Sequence, residues 1–234
     1  MVTMPAINKP QLVDEIIATI TKQIMEGELK KGQKLPSEIE LARQFSVGRN
    51  SVREAFRVLR ALGIVEIRQG DGTYIASEVS EVCLNPLIAA LMMQTGTPMA
   101  LIELRHLLEL GVIELVVERA DEEDMERIEA TIDAFQQAVE RGADPDELLE
   151  EDLEFHYALF EATKNPMIVT IGKTIMQLFG VSIKAHLAES FGAKSAVANH
   201  RRVFAAIKAR DLQECKKQVL KSFEVWQTYV RVPD

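Results

Sequence analysis

"LPSEIELARQFSVGRNSVREAFRVLRALGIVEIRQGDGTYIA", residues 35–76, is the stretch from which the fold of the N-terminal part is read. Ser37 suits a helix N-cap and Glu40, three residues on, completes capping-box spacing, so a short helix "EIELARQF" is predicted. "SVG" interrupts it. Asn50 or Ser51 has the chemistry to cap a second helix, "SVREAFRVLRALG", on which Val52, Ala55, Phe56 and Leu59 share one apolar face. Gly63 closes that helix. Ile64, Val65, Ile67, Tyr74 and Ile75 then flank "QGDG", the pattern of a two-stranded hairpin with a glycine turn.

Upstream, Leu12, Ile16, Ile20 and Ile24 recur at i, i+4 spacing, with Ile17 widening the stripe, so an amphipathic helix ends near Gly27. "KKGQKLPSE", with Gly32 and Pro36, reads as a connecting turn. Two short helices across a tight turn, with a trailing hairpin, make a winged helix-turn-helix.

Charge marks a boundary that the total conceals. The 234 residues carry a formal net charge of −9, yet residues 1–76 hold 11 Lys+Arg and 9 Asp+Glu, leaving a net of −11 for residues 77–234. Arg43, Arg49, Arg53, Arg57, Arg60 and Arg68 gather between residues 41 and 70 against Glu54 and Glu66. A polyanion meets that local excess, since charges beyond a Debye length of ~8 Å are screened.

A hydrophobic share of 47% and a charged share of 27% are those of an ordinary globular chain and exclude disorder as its main state. No apolar run is read as reaching the roughly 18 residues of a membrane span, and "MVTMPAINKPQ" lacks a signal-peptide pattern, so a cytoplasmic protein without membrane contact is expected. Cys83 and Cys215 stand far apart with no CxxC spacing and read as buried thiols.

The quoted stretch resembles the DNA-binding domain of the GntR family of bacterial transcription regulators over residues 10–76. The LPSE start, the V-x-R-x-x-V-R-E-A-x-x-x-L core and the G-x-G-T wing tip occur in order. The resemblance implies that Arg49 and Arg53 read bases or clamp phosphates, that Asn50 reaches a base, that Ser37 belongs to the DNA-facing set, and that Gly70 and Gly72 bring the wing backbone to the minor groove. Two positions depart from the family: Ile39 stands where an arginine is usual, and Gly48 where a serine is usual.

Residues 77–234 read as an all-helical antiparallel bundle of six or seven helices, seven if "NPLIAALMM" (85–93) forms its own. Pro86, Pro98, Gly142, Asp144-Pro145, Asn165-Pro166 and Gly192 punctuate them. The fold class is therefore mainly α, with a winged helix-turn-helix domain over 1–76 and a helical domain over 77–234.

Asp152 and His156 at i, i+4 present a carboxylate and an imidazole on one helix face, and His200 sits near the start of another helix beside Val203, Phe204 and Ile207. By spacing alone these fit metal ligands or satisfied core residues alike. "DLEFH" (152–156), "NHRRVFAAIKARD" (199–211) and "ELR" (103–105) resemble the FCD effector-binding bundle of the FadR branch. That resemblance implies a divalent metal such as zinc or nickel on Asp152, His156 and His200, with positions open to a small carboxylic acid. The last family histidine falls on Ser222, a poor ligand for these ions. His186 is a candidate substitute, and Arg105 a carboxylate clamp or an i, i+4 partner of Glu109.

The resulting expectation is a homodimeric, effector-responsive regulator of operator DNA and not an enzyme. Two alternatives stand beside it: a metal-dependent hydrolase using Asp152, His156 and His200 with Glu151 or Glu154 as base, and a DNA-binding protein without effector, which a bundle filled by side chains would favour.

Overall fold

The structure is a computed structural model that describes residues 9–77, 98–189 and 191–226. The chain divides into two compact units, Met1–Pro86 and Leu87–Asp234. "NPLIAALMM" and Cys83 lie outside the described residues.

In the first unit, α1 (Lys9–Met25) turns Ile16 and Ile20 inward against α3 (Arg49–Ala61), which buries Val52, Ala55, Phe56 and Leu59. Helix α2 (Glu38–Gln44) starts at a complete capping box: the Ser37 hydroxyl accepts from the Glu40 amide and the Glu40 carboxylate accepts from the Ser37 amide. Between α2 and α3 the chain reverses through Ser46 at φ 56°, and the Val47 amide donates to the Ala42 carbonyl at 2.9 Å.

The cap of α3 differs from expectation. Gly48 occupies it with no side-chain hydrogen bond, while Asn50 lies inside the first turn and accepts from Arg53 Nη2 at 3.2 Å. The left-handed turn at Ser46, with Val47 packed on the core, commits the chain to the helix before Asn50 is reached.

Strands β1 (Val65–Arg68) and β2 (Gly72–Ile75) pair antiparallel, Val65 opposite Ile75 and Arg68 opposite Gly72. The expected connecting turn does more than connect. Leu35 N–H donates to the Thr73 carbonyl and Ile75 N–H to the Gln33 carbonyl, each at 2.8 Å, so residues 33–35 satisfy the outer edge of β2. Extended backbone ahead of Pro36 suits them to this.

The second unit holds α4 (Pro98–Arg119), α5 (Glu122–Glu140), α6 (Pro145–Ala162), α7 (Pro166–Met176), α8 (Gly180–Leu187), α9 (Gly192–Lys208) and α10 (Leu212–Trp226). Asp121 caps α5 in a capping box with Asp124; Asp144 and Asn165 cap α6 and α7, each followed by proline at the first helical position. Phe135, Phe155, Phe160, Phe179 and Phe223 fill the core.

Two expectations change here. Residues 166–190 read as one helix, but a 3-10 turn at Gln177–Phe179 separates α7 from α8 and coincides with the fully buried Phe179. His200 lies mid-helix rather than near a start, because α9 begins already at Gly192. In addition, Pro166–Leu187 is by length and composition apolar enough to cross a membrane, contrary to the sequence reading; a third (33%) of its most apolar window is buried in the bundle. Core helices of soluble proteins pass the same test.

Candidate functional site

Two regions carry the expected site residues, one in each unit. On the first, Arg49 opens α3, and its Nε donates to Glu38 Oε2 at 3.1 Å. Arg53 bonds Asn50, and Arg57 Nη1 bonds Glu54 at 2.8 Å. The hydroxyl of Ser37 is engaged within its own cap, where it also donates to Glu40 Oε2 at 2.7 Å.

The hairpin turn holds Gly70 at φ 77° and Gly72 at φ 138°, conformations that favour glycine. A Cβ at Gly72 would also lie 2.9 Å from Lys34 Cε. Around that turn Asp71 accepts from Lys34 Nζ at 2.7 Å and from the Tyr74 hydroxyl at 2.6 Å, and the Arg68 guanidinium lies over the Tyr74 ring at 4.0 Å. Sequence reading missed Glu38, Lys34 and Asp71 as partners, since each bond joins elements whose packing no local period reports.

In the helical unit, Arg105 and Glu109 of α4, Asp152 and His156 of α6, His186 of α8, His200 of α9 and Ser222 of α10 line one cavity of about 60 Å³. The α6 spacing does place Asp152 and His156 together, Oδ2 to Nε2 at 3.7 Å. Packing adds His200, whose Nε2 lies 3.4 Å from Asp152 Oδ1. Donor atoms of Asp152, His156 and His200 all fall within 4.8 Å of one another, and all three residues are buried.

Gly192 shapes the junction of α8 and α9 beside this cavity. A Cβ there would sit 1.8 Å from the His186 carbonyl oxygen, so only glycine lets the end of α8 touch the start of α9. His200 stacks on Phe155, centroids 3.8 Å apart, and stands edge-on to His156 at 5.5 Å. Its buried Nδ1 has no hydrogen-bond partner among the described residues.

Arg105 Nε donates to Glu109 Oε1 at 2.7 Å, and Arg105 Nη2 reaches 3.5 Å from His156 Nε2. The ion pair and the position in the cavity therefore coexist. Ser222 donates to the Val219 carbonyl at 2.7 Å. His186 lines the cavity but stands outside the converging triplet. Glu154 is exposed, and neither it nor Glu151 lines the cavity, so no carboxylate base of the kind a hydrolase needs faces the triplet from those positions.

Burial governs the protonation states. It raises the Asp152 carboxyl to about 7, with Arg105 pulling the other way and Glu109 adding to the rise. Burial holds His156 well below the usual imidazole range, helped by Arg105; for His200 the same burial is joined by His156 and Arg105. His186 is lowered by burial and then by Arg105. Neutral imidazoles are the form that ligates a cation.

Comparisons with known proteins agree with this architecture. Residues 12–75 match the family described as "Bacterial regulatory proteins, gntR family", and residues 100–224 match the FCD domain. The transcriptional regulator LutR of Bacillus subtilis is 41% identical over 145 residues, 62% of this chain and 65% of LutR, so the matched part spans less than two thirds of that relative. The galactonate operon transcriptional repressor of Escherichia coli is 27% identical over 203 residues, 85% of this chain and 87% of the repressor. The solved structure of a Streptococcus agalactiae GntR superposes with a TM-score of 0.65 at 28% identity, covering 92% of this chain and 99% of that one.

Proposed function

The chain belongs to the GntR family of bacterial regulatory proteins and carries its FCD domain, and from that premise we propose that it is an effector-responsive transcription regulator acting on operator DNA as a homodimer in the cytoplasm. Residues 1–76 form the DNA-binding domain in this reading and residues 77–234 the effector-binding and dimerisation domain. Arg49, Asn50 and Arg53 face the major groove from α3, and Gly70 and Gly72 let the wing approach the minor groove. Ser37 contributes through its cap, which holds α2 in place for the turn into α3.

The observation that carries the effector reading is the meeting of Asp152, His156 and His200 in one buried cavity. The donor set fits a divalent transition ion such as zinc or nickel: one carboxylate and two neutral imidazoles, with His200 Nε2 turned toward Asp152 Oδ1 at 3.4 Å. Such an ion would supply a Lewis-acid anchor for a carboxylate oxygen. Arg105 adds a guanidinium for the other oxygen, and Ser222 and His186 complete the polar wall.

A cavity of about 60 Å³ suits an acid of few atoms. The same cavity, in which Arg105, Asp152, His156 and His200 converge among apolar side chains, argues against a bundle without effector. Hydrolysis has no support from relatives that are regulators. The effector shifts DNA binding by no more than its difference in affinity for the two states, typically 1–3 kcal/mol.

Metal content tests the site. The chain purified without added metal or chelator is expected to carry about one transition-metal ion, lost in His156→Ala; a chain that stays metal-free after reconstitution removes the ion from the reading.

A further inference from the structure

We propose that Glu38 positions Arg49 to read a guanine rather than to clamp a phosphate, an inference that rests on the reading of α2 and α3 as a DNA-binding pair. Glu38 is the first residue of α2 and Arg49 the first of α3. Their side chains meet across the turn, the Arg49 side chain 64% exposed and the Glu38 side chain 28% exposed. Arg53 and Arg57, by contrast, bond within α3 itself.

The atoms used are what matter. Glu38 takes the Nε–H of Arg49, at 3.1 Å, and the Nη1 and Nη2 groups make no hydrogen bond among the described residues. A guanidinium is planar, so a bond at Nε sets the plane of the whole fork while leaving the Nη edge open. That edge matches O6 and N7 of guanine in the major groove.

Charge points the same way. A guanidinium beside a carboxylate is drawn less strongly to a phosphate, whereas a guanine edge is neutral and asks for direction rather than charge. Holding the long side chain in one place also removes part of the entropy that binding would otherwise cost. Glu38 is itself well placed: its carboxylate lies in the first turn of α2, where the helix dipole favours it, next to the capping box of Ser37 and Glu40. Two fixed helix starts therefore define where the fork points.

The test uses the full chain and a randomised duplex DNA library as probe. Sequences selected by the unaltered protein are expected to share a G·C pair in each half-site, and single-pair changes in the selected duplex then measure discrimination. Glu38→Ala is expected to bind random duplex as well as before or better, since a carboxylate has left the surface, and to lose about tenfold in discrimination at that one pair. Glu38→Gln, whose amide oxygen still accepts from Nε, retains most of it. Arg49→Ala loses discrimination at the same pair, and adding Glu38→Ala to it changes that pair no further.

Unchanged discrimination in Glu38→Ala overturns the positioning role, as does a loss spread evenly over all sequences. If the unaltered protein selects no sequence at all, the DNA-reading assignment of α3 falls and this proposal with it, an outcome separate from the first two.

Discussion

Replacing Arg105 with methionine removes the cation from a pair that the bundle has largely taken out of water. The two side chains are 9% and 10% exposed, and the Arg105 Nε to Glu109 Oε1 bond is 2.7 Å. Screening by solvent is slight at that depth, so the cost is that of a buried carboxylate left without its cation, about 3–5 kcal/mol. The Asp152 carboxyl, raised chiefly by burial and also by Glu109, would lose the guanidinium that now pulls it down. The double variant Arg105→Met, Glu109→Leu removes both charges and keeps the volume, so most of the loss is expected to return. Seven of the ten α-helices among the described residues belong to the bundle, so the helical circular-dichroism signal during urea unfolding follows mostly that unit. With a slope of about 2 kcal/mol per molar urea, the single variant's midpoint should fall by roughly 1.5–2.5 M in the presence of chelator. A midpoint within about 0.5 M of the unaltered chain, or a double variant as weak as the single one, would refute the argument from burial.

Three further outcomes follow from the geometry. Asp152 must lose its proton to ligate, and its carboxyl sits at about 7, so metal affinity should drop about tenfold per pH unit below 7 and level off above it; His156 and His200, already neutral there, add no proton, and calorimetry showing a flat affinity from pH 6 to 7 would contradict this. Gly192→Ala should destabilise the bundle by at least 1–3 kcal/mol, about the cost of overpacking, because its Cβ meets the His186 carbonyl at 1.8 Å, while Gly111→Ala in α4, with nothing within 4 Å, should stabilise it by about 1 kcal/mol; equal effects in urea unfolding would show that the close approach is not real. Cys215 is fully buried and its thiol is pushed up to about 11 by burial and by Asp211, so in a Cys83→Ser chain it should resist a thiol reagent at pH 8 until urea unfolds the bundle; prompt labelling of the native chain would oppose that burial.

What the sequence determined by itself is local. The capping box of Ser37 and Glu40, the buried face of Val52, Ala55, Phe56 and Leu59, the hairpin around Gly70 and Gly72, and the Asp152/His156 pair each depend on neighbours within a turn or two. At that range the helix and strand periods dictate which side chains share a face. The tertiary structure decided the rest: that Gly48 and not Asn50 caps α3, that residues 33–35 edge the wing, that the long apolar segment from Pro166 breaks at Gln177, and that His200 and Arg105 join Asp152 and His156. Which face meets which is settled by packing large side chains without voids and by the few places, such as Gly192, where two backbones can touch. Such constraints act between residues far apart in the chain. No periodicity in one helix records the helix that will lie against it.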